Sequence, residues 1–81
     1  MNMQNNYYHS TDFCLVSFLL LCNINPDYIN KDNTGKVTFS FLKNSQVESL
    51  VEQFSTLKAK VEPLSFFSAQ KKLKQLIYLN S

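Results

Sequence analysis

The run FCLVSFLLLC, residues 13–22, restricts the possible folds of this chain more than any other stretch. Its length suits the apolar core of a secretory signal. However, no lysine or arginine precedes it, Asp12 stands at its start, and Leu21 before Cys22 is not the small residue of a lipoprotein cleavage site. It is also shorter than the ~17 to 20 apolar residues needed to span a bilayer. A helix that is apolar nearly all round has to be covered on several sides, so it is expected at the centre of a domain. Ser10 or Thr11 can cap it and Asp12 suits its first turn, which places the helix over residues 12 to about 22.

The cover must come from the rest of an 81-residue chain, which at that size is one domain hiding about 60 to 65 per cent of its unfolded surface. Seven Phe and four Tyr supply enough large side chains for one small core. Ahead of the helix, MNMQNNYY is polar and lacks periodicity. Residues 1–8 are therefore expected as a flexible N-terminal segment, from which Tyr7 or Tyr8 can fold back, with a single α+β domain over residues 9–81.

After the helix, NINPD breaks the periodicity, and a short strand is expected over residues 28–31. In KVTFSF, Val37, Phe39 and Phe41 alternate with Thr38 and Ser40, as in a strand with one face buried. Gly35, the only glycine, ends the DNTG connection and suits a hairpin turn that needs one left-handed residue. Ser45 and Glu48 form a capping box for a second helix, with Val47, Leu50, Val51, Phe54 and Leu57 on one stripe. Glu48 and Glu52 stand on its solvated side. Pro63 opens a third helix reaching about Leu79. The expected order is αββαα: a two-stranded antiparallel hairpin packed on three helices.

TDFCLVSFLL, GKVTFSF and VEPLSFFSAQKKLKQLIY together resemble an uncharacterised family of short bacterial and phage domains of unknown function. In that family an acidic residue opens an apolar helix, a Gly turn leads to an aromatic strand, and the last helix carries a basic stretch ending in Ile or Leu with an aromatic. The likeness covers residues 8–78 and implies a fold but no activity. Many members carry a glycine after the first helix, where this chain reads LLLCNINPDYI.

Catalytic chemistry finds little support. His9, Asp12 and Cys14 could be drawn as a nucleophilic set, but Asp12 reads as a helix-start residue, Cys14 as a buried one and His9 as exposed. Cys14 and Cys22 are eight apart, roughly 12 Å of helical rise and too far for a disulfide, so they are expected as small buried hydrophobes in a reducing compartment. With one histidine the local ligands do not make a tetrahedral metal set, and one glycine does not build a phosphate-cradling loop. No enzyme, cofactor, metal or small-molecule substrate is expected.

The third helix carries two lines. Phe66, Ala69, Leu73, Leu76 and Ile77 make a stripe of ordinary core width. Phe67, Lys71, Lys74 and Tyr78 make a second, outward line, while Lys72 points elsewhere. Rings alternating with lysines can stack bases and neutralise phosphate. The same residues also fit a helix whose rings cap the core edge and whose lysines lie over apolar surface. A net charge of +2 supports few phosphate contacts, and with every basic residue a lysine there is no planar fork for bidentate readout. The alternative site is the edge of the second strand, residues 36–42, where Lys36, Val37, Phe39 and Phe41 could pair with a copy of the chain or a peptide. The expectation is a small, cytoplasmic, non-enzymatic binding module for nucleic acid, or alternatively a homodimeric or protein-docking adaptor, with no membrane role.

Overall fold

The computed structural model describes residues 6–79. Six elements follow one another: β1 (Tyr7–Ser10), α1 (Phe13–Leu21), β2 (Tyr28–Lys31), β3 (Val37–Leu42), α2 (Ser45–Ser55) and α3 (Pro63–Leu79).

Helix α1 starts one or two residues later than the flanking hydroxyls suggest. Asp12 is the cap, its Oδ1 accepting from the amides of Cys14 at 3.0 Å and Leu15 at 3.2 Å. The hydroxyl of Ser10 instead accepts from the Asp12 amide at 3.0 Å. Leu15, Val16, Ser17, Phe18, Leu19 and Leu20 are all buried, as a central helix requires. The one hydroxyl among them, Ser17, donates back to the Phe13 carbonyl at 2.8 Å, so its burial leaves no unmet polar group. The helix closes with Ile24 N donating to Leu19 O and Asn23 N to Leu20 O, both at 2.9 Å. This is a Schellman closure, which needs a left-handed residue. Asn23 supplies it at φ 68°.

The expected hairpin is present, with Ile29 opposite Phe39 and Lys31 opposite Val37. Its turn is tied by Asp32 Oδ1, which accepts from the Thr34 amide at 2.8 Å, the Thr34 hydroxyl at 2.6 Å and the Lys36 amide at 3.0 Å. Gly35 takes φ 87°, so the single glycine sits where a left-handed residue is needed. The additional strand is β1, which pairs antiparallel with the other side of β3, Tyr8 opposite Phe41 and Ser10 opposite Phe39. The sheet therefore has three strands in the order β1-β3-β2, and the chain runs βαββαα instead of αββαα. Tyr7 and Tyr8, expected in a flexible segment, belong to the sheet, while residues 1–5 of that segment lie outside the described residues. The pairing gives the peptide groups of β3 partners on both sides and brings half-buried Tyr8 onto the core.

The core lies between the sheet and the helices. Phe39 and Phe41 of β3 meet Val16 and Leu19 of α1, Val47 of α2 and Leu73 of α3 in one cluster. Helix α2 is capped by Asn44, whose Oδ1 accepts from the Val47 amide at 2.8 Å, one residue before the expected Ser45. Of its expected stripe, Val47 is buried and Leu50, Val51 and Phe54 are half-buried, but Leu57 is 92% exposed. Leu57 has left the helix. It takes φ 62° in a second Schellman closure, with Lys58 N donating to Gln53 O and Leu57 N to Phe54 O.

Before α3, the Glu62 carboxylate accepts from the amides of Leu64 and Ser65 and from the Ser65 hydroxyl. These bonds, the Ser65 amide foremost, hold its pKa below the usual glutamate range. The core stripe is as expected: Ala69 and Leu73 are buried, and Phe66, Leu76 and Ile77 half-buried. The cysteines differ from expectation. Cys14 is exposed, and Cys22 is half-buried with its thiol pKa pushed up by burial.

Candidate nucleic-acid interface

Helix α3 is 17 residues long, enough to carry two separate lines over its length. Its inner line is taken up by the core, which turns the other line outward. Phe67 is 56% exposed and Tyr78 is 80% exposed, and Lys71 and Lys74 between them are exposed as well. Both rings therefore stand clear of the core, and burial does not account for them. The Lys71 ammonium lies 5.2 Å from the centroid of the Phe67 ring, within cation–π range. One turn further on, Lys74, Gln75, Tyr78 and Leu79 line an open cleft of about 410 Å³. The sequence-derived line is thus brought together as a surface, with one lysine already occupying a ring and the other beside a ring and a cleft.

The strand-edge candidate is not placed as expected. Strand β3 is the central strand, with β1 on one side and β2 on the other, so Val37, Phe39 and Phe41 do not lie on an open edge. Phe39 and Phe41 are core residues, 2% and 0% exposed. Lys36 lies just before the strand and is exposed. Among the described residues the open edges of the sheet belong to β1 and β2. The error follows directly from the missing strand, since β1 occupies the edge that a two-stranded hairpin would have left free.

The His9, Asp12 and Cys14 set is also dispersed in its bonding. Asp12 is committed to the start of α1, and His9 Nδ1 is 2.7 Å from Ser40 Oγ. A Ser–His pair invites comparison with a hydrolase. Here Ser40 is buried in the central strand, whose peptide groups serve the ladders on both sides, and an oxyanion would need free amides beside it. Among the described residues no group of three or more His, Cys, Asp or Glu side chains is placed to hold a metal ion.

Sequence reasoning missed the outer face of the sheet. Strand alternation directs Tyr8, Phe39, Phe41 and Ile29 inward and leaves Tyr7, His9, Ser40 and Tyr28 on the opposite side. The rings of Tyr7 and Tyr28 meet edge to face with centroids 5.5 Å apart, and those of Tyr7 and His9 are 6.5 Å apart. A hydrogen bond with Tyr28, followed by the electrostatic influence of that residue, burial and Asp27, raises the Tyr7 pKa. The available signal was YYHS itself: two β-forming tyrosines with a ring at every second position.

A third feature is an apolar cleft of about 250 Å³ lined by Phe18, Phe54, Leu57, Ala59, Val61 and Phe66. Among the described residues no helix is long and apolar enough to cross a membrane.

These features define a small α+β domain with a three-stranded antiparallel sheet on three helices, whose distinctive chemistry lies on open surfaces. The chain belongs to the DUF5659 family, a domain of unknown function, whose model matches residues 5–79. No significant match was found among curated proteins or among solved structures.

Proposed function

We propose that this chain is a small, non-enzymatic, cytoplasmic binding module that contacts nucleic acid through Phe67, Lys71, Lys74 and Tyr78 of α3. The observation that supports this reading is the outward exposure of both rings on the helix line that carries the two lysines. Base–aromatic stacking contributes about 1 to 3 kcal/mol per base and tolerates any sequence. Two lysines neutralising two phosphates give a salt slope of about −1.4 in log K against log salt for a single strand. That combination makes a weak, salt-sensitive and sequence-tolerant binder.

Fluorescence anisotropy with labelled single- and double-stranded oligonucleotides, at low and moderate salt, tests the proposal. Wild type should bind and Lys71→Glu/Lys74→Glu should bind more weakly with a flatter salt dependence. Absence of binding by wild type at low salt removes the reading.

The alternative is a homodimeric or protein-docking adaptor, which the open edges of β1 and β2 favour over the interior strand β3. Light scattering over a concentration series should then show twice the monomer mass, and a monomer at every concentration counts against the homodimer.

A further inference from the structure

The two rings on the outward line of α3 have different neighbours. A helical side chain leans back over the turn before it, so each ring lies above the residues three and four places earlier. For Tyr78 these are Gln75 and Lys74, both exposed and both lining the cleft of about 410 Å³ with it. For Phe67 they are Leu64 and Pro63, which offer no side-chain hydrogen bond. The Lys71 ammonium, 5.2 Å from its centroid, also takes part of the Phe67 ring. About 16 Å of helical rise separates the two rings, so one base does not touch both.

The cleft at Tyr78 has the make-up of a small-ligand site. Its volume falls inside the roughly 300 to 1,000 Å³ usual for such sites, which are mostly apolar with a few polar groups. Tyr78 and Leu79, 80% and 76% exposed, give apolar walls that the core does not use. Gln75 and Lys74 give the polar groups. The charge suits an anion: over its 17 residues α3 holds Lys71, Lys72 and Lys74 and no Asp or Glu. Glu62, just ahead of the helix, is held by the amides of Leu64 and Ser65 at the opposite end from the cleft.

We propose that this cleft is a pocket for one unpaired base, in which Tyr78 stacks on the base, the Gln75 side-chain amide hydrogen-bonds its pairing edge and Lys74 meets its phosphate. The proposal rests on the α3 reading and narrows it from nucleic acid in general to single strands, with Gln75 as a binding residue beyond the four of that line. Every common base sets a hydrogen-bond donor beside an acceptor on its pairing edge, and a primary amide offers one of each. The contact therefore accepts any base, but only an unpaired one. In a duplex the pairing edges are taken and each base face is covered by its neighbour, so Tyr78 finds no face to stack on.

The experiment uses the full chain at low salt, with anisotropy of three labelled probes: oligo(dT), a strand of equal length made of abasic sugar-phosphate units, and an oligo(dA)·oligo(dT) duplex. Oligo(dT) should bind best. Gln75→Leu should weaken its binding roughly 2- to 13-fold, the loss of one hydrogen bond, and leave the salt slope unchanged. Tyr78→Leu should weaken it roughly 5- to 150-fold, the loss of one stacked base. Neither change should alter binding of the abasic strand, which the lysines alone hold. Both positions are exposed, and far-ultraviolet circular dichroism should show both variants folded. The proposal is overturned if the duplex or the abasic strand binds as tightly as oligo(dT), or if folded Tyr78→Leu or Gln75→Leu binds oligo(dT) like wild type. Should Lys71→Glu/Lys74→Glu still weaken binding in those cases, the α3 reading survives without the pocket. Failure of wild type to bind any of the three probes removes both.

Discussion

Replacing Leu73 by alanine tests whether the inner line of α3 is what fixes the outer one. Leu73 is 0% exposed and belongs to the cluster that joins α1, α3 and β3. The substitution removes three carbons, worth about 2.4 kcal/mol at ~0.8 kcal/mol per buried methylene. The cavity left behind adds to this, and buried Leu→Ala changes span roughly 2 to 5 kcal/mol in total. A domain of this length has about 4 to 12 kcal/mol of stability to lose, so one side chain carries a large share of it. Urea denaturation followed by far-ultraviolet circular dichroism should show the midpoint falling by roughly 1 to 3 M with an unchanged slope. Leu64→Ala, on the same helix but exposed, should stay within about 0.5 kcal/mol of wild type. A Leu73→Ala loss below about 1 kcal/mol would mean that α3 is not docked through this residue. The orientation of Phe67, Lys71, Lys74 and Tyr78 would then lose its basis.

Leu57→Gly should stabilise the chain by up to about 1 kcal/mol in the same assay, because Leu57 takes a left-handed conformation with its side chain in solvent. Thiol labelling with a disulfide reagent at neutral pH should modify Cys14 before Cys22, since Cys14 is exposed whereas burial holds the Cys22 thiol up; Cys14→Ser should remove the fast phase. The folded pKa values of Asp32 and Glu62 lie below their ordinary values, chiefly through the Thr34 hydroxyl and the Ser65 amide respectively. Their stabilisation is complete above the unfolded values, 3.8 for Asp32 and 4.5 for Glu62, and is lost as pH falls through the lower folded ones, so the urea midpoint should drop as the solution is acidified below those unfolded values. Asp32→Asn/Glu62→Gln should shallow that drop, and an unchanged pH dependence would refute the assignment.

How much of this was legible depended on how far each feature relies on distant sequence. The run at residues 13–22 and the two lines of α3 could be read directly, because a long stretch at constant pitch averages over local ambiguity. The two helix starts were displaced because Ser10, Thr11 and Asp12, or Asn44 and Ser45, are consecutive residues that all cap well. The turns at Asn23 and Leu57 were hidden because neither uses glycine, the usual marker of a left-handed residue. Strand β1 was lost because four residues carry little periodicity and their partner strand lies beyond α1 and β2. That omission made β3 look like an edge and concealed the ring contacts of the outer sheet face, since neither Tyr7 nor His9 has meaning until β1 is paired. The solvated Cys14 was masked by the apolar run in which it stands.

The position of β1 also bears on the order of assembly. It leaves the ribosome before β2 and β3, yet Tyr7 pairs with Leu42, across all of α1 and the β2–β3 hairpin. The hairpin closes a short loop, whereas β1 must close a long one, and the entropy of closure rises with loop length. Of the three strands the one made earliest is thus the last to zip, and until it does one side of β3 is an unsatisfied edge. A Tyr8→Ala variant should accordingly unfold faster while folding at nearly the wild-type rate, and slowed folding would place β1 in the nucleus instead. During synthesis, the vulnerable interval of this domain is the wait of β3 for a strand that already exists.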